Sequence, residues 1–436
     1  MIGAFLFDLD GVLVKTKDLH FEALNLALKR IGQEYVISYQ EHLDIYDGLP
    51  TKEKLKLLTA YKDFPIEKYD EVYKIKQSST SKLLDQILPD PRLRKTLVNV
   101  SENGFKIGIV SNSIKTTIEK VCSRLGISDL IDVMISTEEV AKPKPSPDGY
   151  IRAMEYFGLS SDQVIIFEDS LVGQRAALSS GGRLAPVDSP DILDSVVNRV
   201  ILSAKAKRNI VVPMAGNGSR FLSAGYKDPK PMINIFGQTM ISHVIQNIKI
   251  PGLYTFIVQN KHVESYRIDR TLSYLSPGCK VIHVSSVTPG AAVSVLMAKS
   301  IIDNEEELVI ANSDQLVELS WDFGYDDGAI LLFESTEPKW SFAKVDNGIV
   351  TEVAEKEAIS NYATCGIYLW KFGKDYVSYA TSMVDNNDTV NNEFYVCPAY
   401  NYAIRDNKVI SPIFVDKMIG LGTPEDLESY IRRSLD

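Results

Sequence analysis

The sequence has only four cysteines in 436 residues, Cys122, Cys279, Cys365 and Cys397, far apart and without a Cys-x-x-Cys pair. That argues against a disulfide framework and against a structural zinc site. It has no apolar run of membrane-spanning length. Its start, Met-Ile-Gly-Ala-Phe-Leu-Phe-Asp, has no basic segment and reaches a carboxylate at once, unlike a signal peptide. Positive charge is not in excess either: the formal net charge is −10. No nucleic-acid partner and no membrane partner are expected. The one dense basic cluster, Lys205, Lys207 and Arg208, reads as a solvated linker. A cytoplasmic protein is expected, with homo-oligomerisation left open. The 45% hydrophobic and 24% charged composition is that of a soluble globular chain. The length exceeds one ordinary core, so two domains are expected.

What is present is organised around Ile210 to Ile233. Ile210 to Val212 has the length and β-branched content of a buried strand. The loop after it, Met-Ala-Gly-Asn-Gly-Ser-Arg, places Gly216 and Gly218 two apart, where backbone can approach a ligand and turn N–H groups towards it. Arg220 adds a cation, and Lys230, between Pro229 and Pro231, adds a second on a stiffened segment. This is a receptor for a nucleoside triphosphate or, more plainly, a strand-to-helix turn. The loop lacks the Gly-Lys-Ser/Thr ending of a P-loop and the third glycine of a dinucleotide fingerprint.

The first half alternates strands and helices. Ile2 to Phe7 reads as a buried strand ending in Asp8-Leu9-Asp10-Gly11. Carboxylates two apart on extended backbone point the same way, which favours a metal or a shared proton; a polar turn is the plain alternative. Lys17 to about Leu88 reads as mainly helical. Three further strands end in Ser111-Asn112-Ser113, in Lys142-Pro143-Lys144-Pro145 and in Glu168-Asp169-Ser170. Strand ends carry ligands in open α/β sheets. A doubly wound parallel sheet with an inserted helical cap at about 14–88 is expected.

These four polar strand ends resemble the haloacid-dehalogenase superfamily over Met1 to about Ser203. Thr16, His20 and the helical insert are similar to its β-phosphoglucomutase-like group. The resemblance implies Asp8 as the nucleophile that forms an aspartyl phosphate and Asp10 as general acid and base. It implies Ser111 and Lys144 as holders of the phosphoryl group, and Asn112, Thr16 and His20 as substrate-side residues. Mg²⁺ would be bound by Asp8, Asp169 with Glu168, and the carbonyl of Asp10. Lys144 is preferred to Lys142 for its Lys-Pro-x-Pro-Asp context. His20 is equally readable as a structural histidine; Lys52 and Lys76 could reach substrate from the cap but read more plainly as surface lysines.

The second half, 204–436, resembles sugar-phosphate nucleotidyltransferases through Gly-x-Gly-x-Arg followed by Pro-Lys-Pro. It implies a second Rossmann-like α/β domain in which Ala215, Gly216, Gly218 and Ser219 hold the nucleotide, and Arg220 and Lys230 are catalytic cations. The turn Thr288-Pro289-Gly290-Ala291-Ala292, expected to open a helix through Ala298, would lie with Gly290 and Ala291 against the base. Asp314, after the strand Leu308 to Ala311, is the implied Mg²⁺ ligand. Glu355 and Lys356 would contact the acceptor and its phosphate. The family's second metal aspartate falls at Gly420, so Asp416 or another carboxylate would replace it, or one ligand suffices. The whole reads as a bifunctional enzyme of nucleotide-activated sugar or polyol synthesis: an NTP:sugar-phosphate nucleotidyltransferase releasing pyrophosphate, joined to a Mg²⁺-dependent phosphatase. The alternatives are a phosphomutase in the first half and a non-catalytic binding module in the second.

Overall fold

The protein, in a computed structural model, is described for residues 1–321 and 323–435. It divides into two compact units, Met1–Ile201 and Leu202–Asp436, and the division falls inside the helix Leu193–Lys205. No helix among the described residues is long and apolar enough to cross a membrane.

The first unit is built on a five-stranded parallel sheet. Its central strand is Ala4–Phe7, flanked by Lys106–Val110 and Val133–Ile135 on one side and by Val164–Glu168 and Arg183–Pro186 on the other. Ala4 pairs with both Lys106 and Val164, all in parallel register. All four residues of Ala4–Phe7 are buried, as strands covered on both faces require. Phe5 stacks on Phe105 at 4.5 Å and Phe7 on Phe167 at 4.6 Å, which locks the central strands together. The first crossover leaves the strand end at Asp8 for the helices Lys17–Ile31, Thr51–Lys62 and Tyr69–Leu84. These bury their own cluster, with Leu24, Leu28, Leu58, Phe64 and Val72. That separate core is what makes the insert a cap rather than a loop. The chain returns to the sheet through Pro91–Glu102, whose N-terminus Asp90 caps by accepting from Arg92 N–H at 2.9 Å.

The second unit is α/β as well, with a mixed sheet. Lys280–Val284, Leu253–Gln259, Arg208–Pro213 and Glu307–Ala311 run parallel; Tyr362–Trp370 then pairs antiparallel with Glu307–Ala311 and with Gly328–Glu334. Ile410–Phe414 closes this path in parallel. Ile210 and Val212 face one hydrophobic core and Val211 the other, the two-faced burial of an interior strand. Arg208 is not linker: it begins that strand and its guanidinium pairs with Glu307. The helix after Gly290 is shorter than its sequence suggests, running Ala291–Leu296. Met297 N–H is shared between Val293 and Ser294 carbonyls, Ala298 bonds only three residues back, and a separate turn Lys299–Ile302 follows.

Candidate active sites

In the first unit the chemistry gathers at the carboxyl ends of the parallel strands, where the sheet order switches direction. Asp8 follows the central strand, Ser111 and Asn112 the next, and Glu168 and Asp169 the strand on the other side. Lys144 enters from the turn before the helix Asp148–Phe157. Its ammonium donates to Asp8 Oδ1 at 2.6 Å, to Glu168 Oε1 at 2.6 Å and to the Val110 carbonyl at 2.7 Å. Tyr150 adds its hydroxyl to Glu168 at 2.5 Å. Asn112 fixes the turn, accepting from Lys144 N–H at 2.9 Å and donating to the carbonyls of Gly48 and Lys144. Ser111 is buried and lines the same cavity of about 400 Å³; the exposed Lys142 does not line it.

Burial pushes the Asp8 carboxyl well above its ordinary pKa; Lys144 opposes that, and Glu168, Asp169 and Asp10 add to it. One ammonium thus serves a crowd of carboxylates. Asp8, Glu168 and Asp169 could hold a metal ion between them. Glu168 Oε2 and Asp169 Oδ1 are buried with no hydrogen-bond partner among the described residues. Gly11, at φ +99°, leaves the room that a Cβ would fill 2.1 Å from Asp169 Oδ2. Hard oxygen donors, two of them orphaned, fit a divalent cation such as Mg²⁺.

Asp10 sits apart from that cluster, in a proton-handling network. Thr16 donates to Oδ1, Ser113 to Oδ2 at 3.2 Å, and His20 Nε2 lies 3.2 Å from Oδ1. Lys76 Nζ stands 3.4 Å from His20 Nδ1. Burial alone would raise the Asp10 pKa, but the His20 charge and the three donors outweigh it and leave it below the carboxylate range. His20 is pulled the other way: burial and Lys76 lower its pKa. Asp10 and Lys76 thus face opposite nitrogens of the His20 ring.

Sequence reasoning passed over Lys17 and Ser113. Lys17 on the first cap helix bridges Asp169 at 2.8 Å and Asp47 at 3.0 Å. Ser113 lay inside the quoted Ser-Asn-Ser run; its spacing from Ser111 was the available signal.

The second unit forms a cleft of about 520 Å³ over the loop that follows Arg208–Pro213. Ala215, Gly216, Gly218, Ser219, Arg220, Lys230, Gly290, Ala291, Asp314, Glu355 and Lys356 all line it. Gln259, missed in the sequence, holds the loop by donating to the carbonyls of Ala215 at 2.7 Å and Gly216 at 3.2 Å. Lys230 forms an ion pair with Asp314, with its ammonium over the Phe221 ring. Gly290, at φ +121°, passes so close to Phe394 that a Cβ would meet its carbonyl oxygen at 2.3 Å. Arg220 is exposed at the rim.

Glu355 accepts from Ser341, and burial raises its pKa against the pull of that hydroxyl and of Lys356. Lys356 bonds the Tyr395 hydroxyl and lies 4.6 Å from the ring centroid. At Gly420 a Cβ would face Asp426 Oδ2 at 3.7 Å, and at Gly422 it would face Asp314 Oδ2 at 3.2 Å. Asp426 lines the cleft and pairs with Lys339 at 3.2 Å, whereas Asp416 does not line it. The cleft therefore offers Asp314 as one carboxylate, suited to a cation that substrate phosphates would largely ligate.

Each half thus pairs an α/β strand-end site with phosphate-type chemistry, and comparison with known proteins agrees. The haloacid dehalogenase-like hydrolase family matches residues 5–187, and the nucleotidyl transferase family matches residues 210–399. A phosphorylated carbohydrates phosphatase of Thermotoga maritima is 30% identical over 182 residues, covering 41% of this chain and 81% of that protein. A nucleoside-diphosphate-sugar pyrophosphorylase of Vibrio cholerae is 25% identical at a TM-score of 0.45, covering 51% of this chain and 99% of its own. A β-phosphoglucomutase of Clostridium difficile is 24% identical at a TM-score of 0.40, covering 46% and 99%. The chain belongs in its first half to the haloacid dehalogenase-like hydrolases, and its second half matches the nucleotidyl transferase family model over residues 210–399. Both are families of enzymes.

Proposed function

We propose that the chain is a bifunctional enzyme of nucleotide-activated sugar or polyol synthesis. Its first half would be a phosphatase and its second an NTP:sugar-phosphate nucleotidyltransferase. The observation that carries the first activity is the triple grip of Lys144 on Asp8, Glu168 and Val110, beside an Asp10 held by separate donors. An Asp8 oxygen would attack the phosphorus of the ester while Asp10 passes a proton, given up to it by the arriving ester's own phosphate, to the departing alcohol oxygen. Asp10 would then take a proton from water as that water attacks the aspartyl phosphate, which regenerates Asp8 and releases inorganic phosphate. Lys144, Ser111 and Asn112 would hold and orient the phosphoryl oxygens. Mg²⁺ held by Asp8, Glu168, Asp169 and the Asp10 carbonyl would supply charge neutralisation.

In the second half an acceptor phosphate oxygen would attack the α-phosphorus of an NTP, and the α–β bond would break to release pyrophosphate. Alignment and neutralisation suffice for that step. The Lys230–Asp314 pair beside the glycine loop supports this reading, with Arg220 on the triphosphate, Gly290 and Ala291 at the base, and Glu355 and Lys356 on the acceptor. Mg²⁺ at Asp314 would offset phosphate charge. The test is release of pyrophosphate and of inorganic phosphate, read in parallel with Mg²⁺, each of CTP, UTP, dTTP and GTP, and a panel of phosphorylated sugars and polyols. Pyrophosphate from one NTP–acceptor pair, and phosphate from an ester without NTP, are expected. Isomerisation of a 6-phosphate to a 1-phosphate without free phosphate would replace the phosphatase by a mutase.

A further inference from the structure

The Lys144 ammonium has three protons, and all three are committed. Asp8 Oδ1 and Glu168 Oε1 accept at 2.6 Å and the Val110 carbonyl at 2.7 Å. A lysine so placed has no proton for a phosphoryl oxygen until it releases one acceptor. The two carboxylates differ in what release would leave behind. Asp8 lines the cavity with Lys144, whereas Glu168 does not line it and is fully buried. Glu168 Oε2 has no hydrogen-bond partner among the described residues. A buried carboxylate without a donor is costly, which would tie Lys144 to Glu168.

Tyr150 loosens that tie. Its hydroxyl donates to the same oxygen, Glu168 Oε1, at 2.5 Å. Its ring belongs to the core cluster of Leu6, Val110, Ala153 and Ile166, and its centroid lies 4.8 Å from Lys144 Nζ. Among the described residues Glu168 Oε1 is the only one of the three acceptors with a second side-chain donor. Gly173 leaves the room for this arrangement, since a Cβ there would fall 2.0 Å from the Glu168 carboxyl carbon. Tyr150 itself does not line the cavity, so its hydroxyl acts on the site through Glu168 and Lys144.

We propose that Tyr150 is a positioning residue that takes over Glu168 Oε1 and so frees one Lys144 proton for the phosphoryl group. Lys144 keeps its bonds to Asp8 and to the Val110 carbonyl. The phenol O–H on a carboxylate is a charge-assisted bond, and it stands in for the ammonium contact that Glu168 gives up. The exchange moves hydrogen bonds only; no covalent bond forms or breaks. It rests on the phosphatase reading, in which Lys144 holds the phosphoryl oxygens, and it states how a fully committed lysine becomes available.

The test is calorimetric binding of inorganic phosphate, with Mg²⁺ and again with chelator, to wild type, Tyr150→Phe, Glu168→Gln and the double variant. Phenylalanine fills the same core space without the hydroxyl. Tyr150→Phe is expected to weaken phosphate binding by about tenfold and to raise KM for a phosphomonoester by a similar factor. In the Glu168→Gln background, where no buried charge holds Lys144, the same change should leave phosphate affinity as it was. Unchanged affinity and KM in Tyr150→Phe, with only a lower Tm, overturns the exchange and leaves the phosphatase standing. An equal loss in both backgrounds also overturns it, since Tyr150 would then act otherwise than through Glu168. If Tyr150→Phe does not fold, Glu168→Gln alone decides: with chelator it should bind phosphate at least as tightly as wild type, and weaker binding overturns the exchange. Absence of phosphate binding to wild type overturns exchange and phosphatase together. The expected coupling of Tyr150 and Glu168, with no phosphate released from any ester, would keep the exchange and remove the phosphatase.

Discussion

The two candidate sites are built in opposite ways. In the first, Lys144, Asp8 and Glu168 are almost wholly buried, and both carboxylates accept from the Lys144 ammonium. In the second, Arg220 is exposed, Lys230 and Asp314 are each 19% exposed, and a glycine loop supplies backbone instead of carboxylates. The chemistry proposed for each accounts for the contrast. A site whose own side chain becomes phosphorylated must hold nucleophile, acid and cation ready within one small volume. A site that joins two bound substrates needs room and neutralising charge, and a dense set of buried carboxylates would repel the triphosphate.

The sharpest way to test the contrast is to break each site separately. Asp8→Asn keeps the shape of the side chain and removes the proposed nucleophile. We expect phosphate release to fall by about 10³-fold or more, with pyrophosphate release intact. Asp314→Ala should do the reverse. Loss of both activities in either variant would show that the two halves are not independent.

The next effect is on stability, and it should differ between the halves. Lys144→Met leaves Glu168, fully buried, without its main partner. Removing one member of such a pair costs about 3–5 kcal/mol. The first unit should therefore melt earlier, and adding Glu168→Gln should recover part of the loss without recovering activity. Lys230→Met, in the open cleft, should cost about 1 kcal/mol or less while abolishing pyrophosphate release. Comparable melting shifts in the two variants would contradict the assigned difference in burial.

Gly290→Ala probes the second cleft through its backbone. The new Cβ would meet Phe394 backbone atoms at 2.3–2.8 Å, and the residue would be strained at φ +121°. We expect destabilisation of about 2–3 kcal/mol and a raised KM for the NTP, with phosphate release unaffected.

Much of this was legible in the sequence, for a definite reason. Strand runs such as Val164–Glu168 are short, apolar and end abruptly in polar residues, and open α/β sheets place such ends together. Asp8, Ser111, Lys144 and Asp169 are therefore grouped by the sequence alone. The cap was legible as helices but not as a wall. Apolar spacing tells which stripe of Lys17–Ile31 meets the cap core; it does not tell that Lys17 reaches Asp169, 152 positions away, or that Lys54 points into the cavity. In the second half the loop was legible from its glycines. Its buttress Gln259 was not, because a lone glutamine at a strand end has no spacing signature. The absent carboxylate at Gly420 was visible, but the approach of Asp426 depends on how the terminal helix Pro424–Leu435 packs.

The smallest effect sharpens the contrast by pH. Asp169 is buried beside Glu168, and burial followed by that charge raises its pKa to about 6, although Lys17 pulls it down. An unfolded aspartate titrates near 3.9. The folded state therefore holds the Asp169 proton more tightly than the unfolded state. Its stabilising contribution is full below about pH 4 and is lost as pH rises through about 6. In chelator-treated protein, Asp169→Asn should accordingly gain on wild type between pH 4 and pH 7, by about 5 °C in Tm of the first unit. Mg²⁺ should remove that gain by stabilising the wild-type carboxylate alone, because the amide is a poorer ligand. A pH-independent difference for Asp169→Asn would mean that Lys17, rather than a metal ion, is the standing partner of that carboxylate.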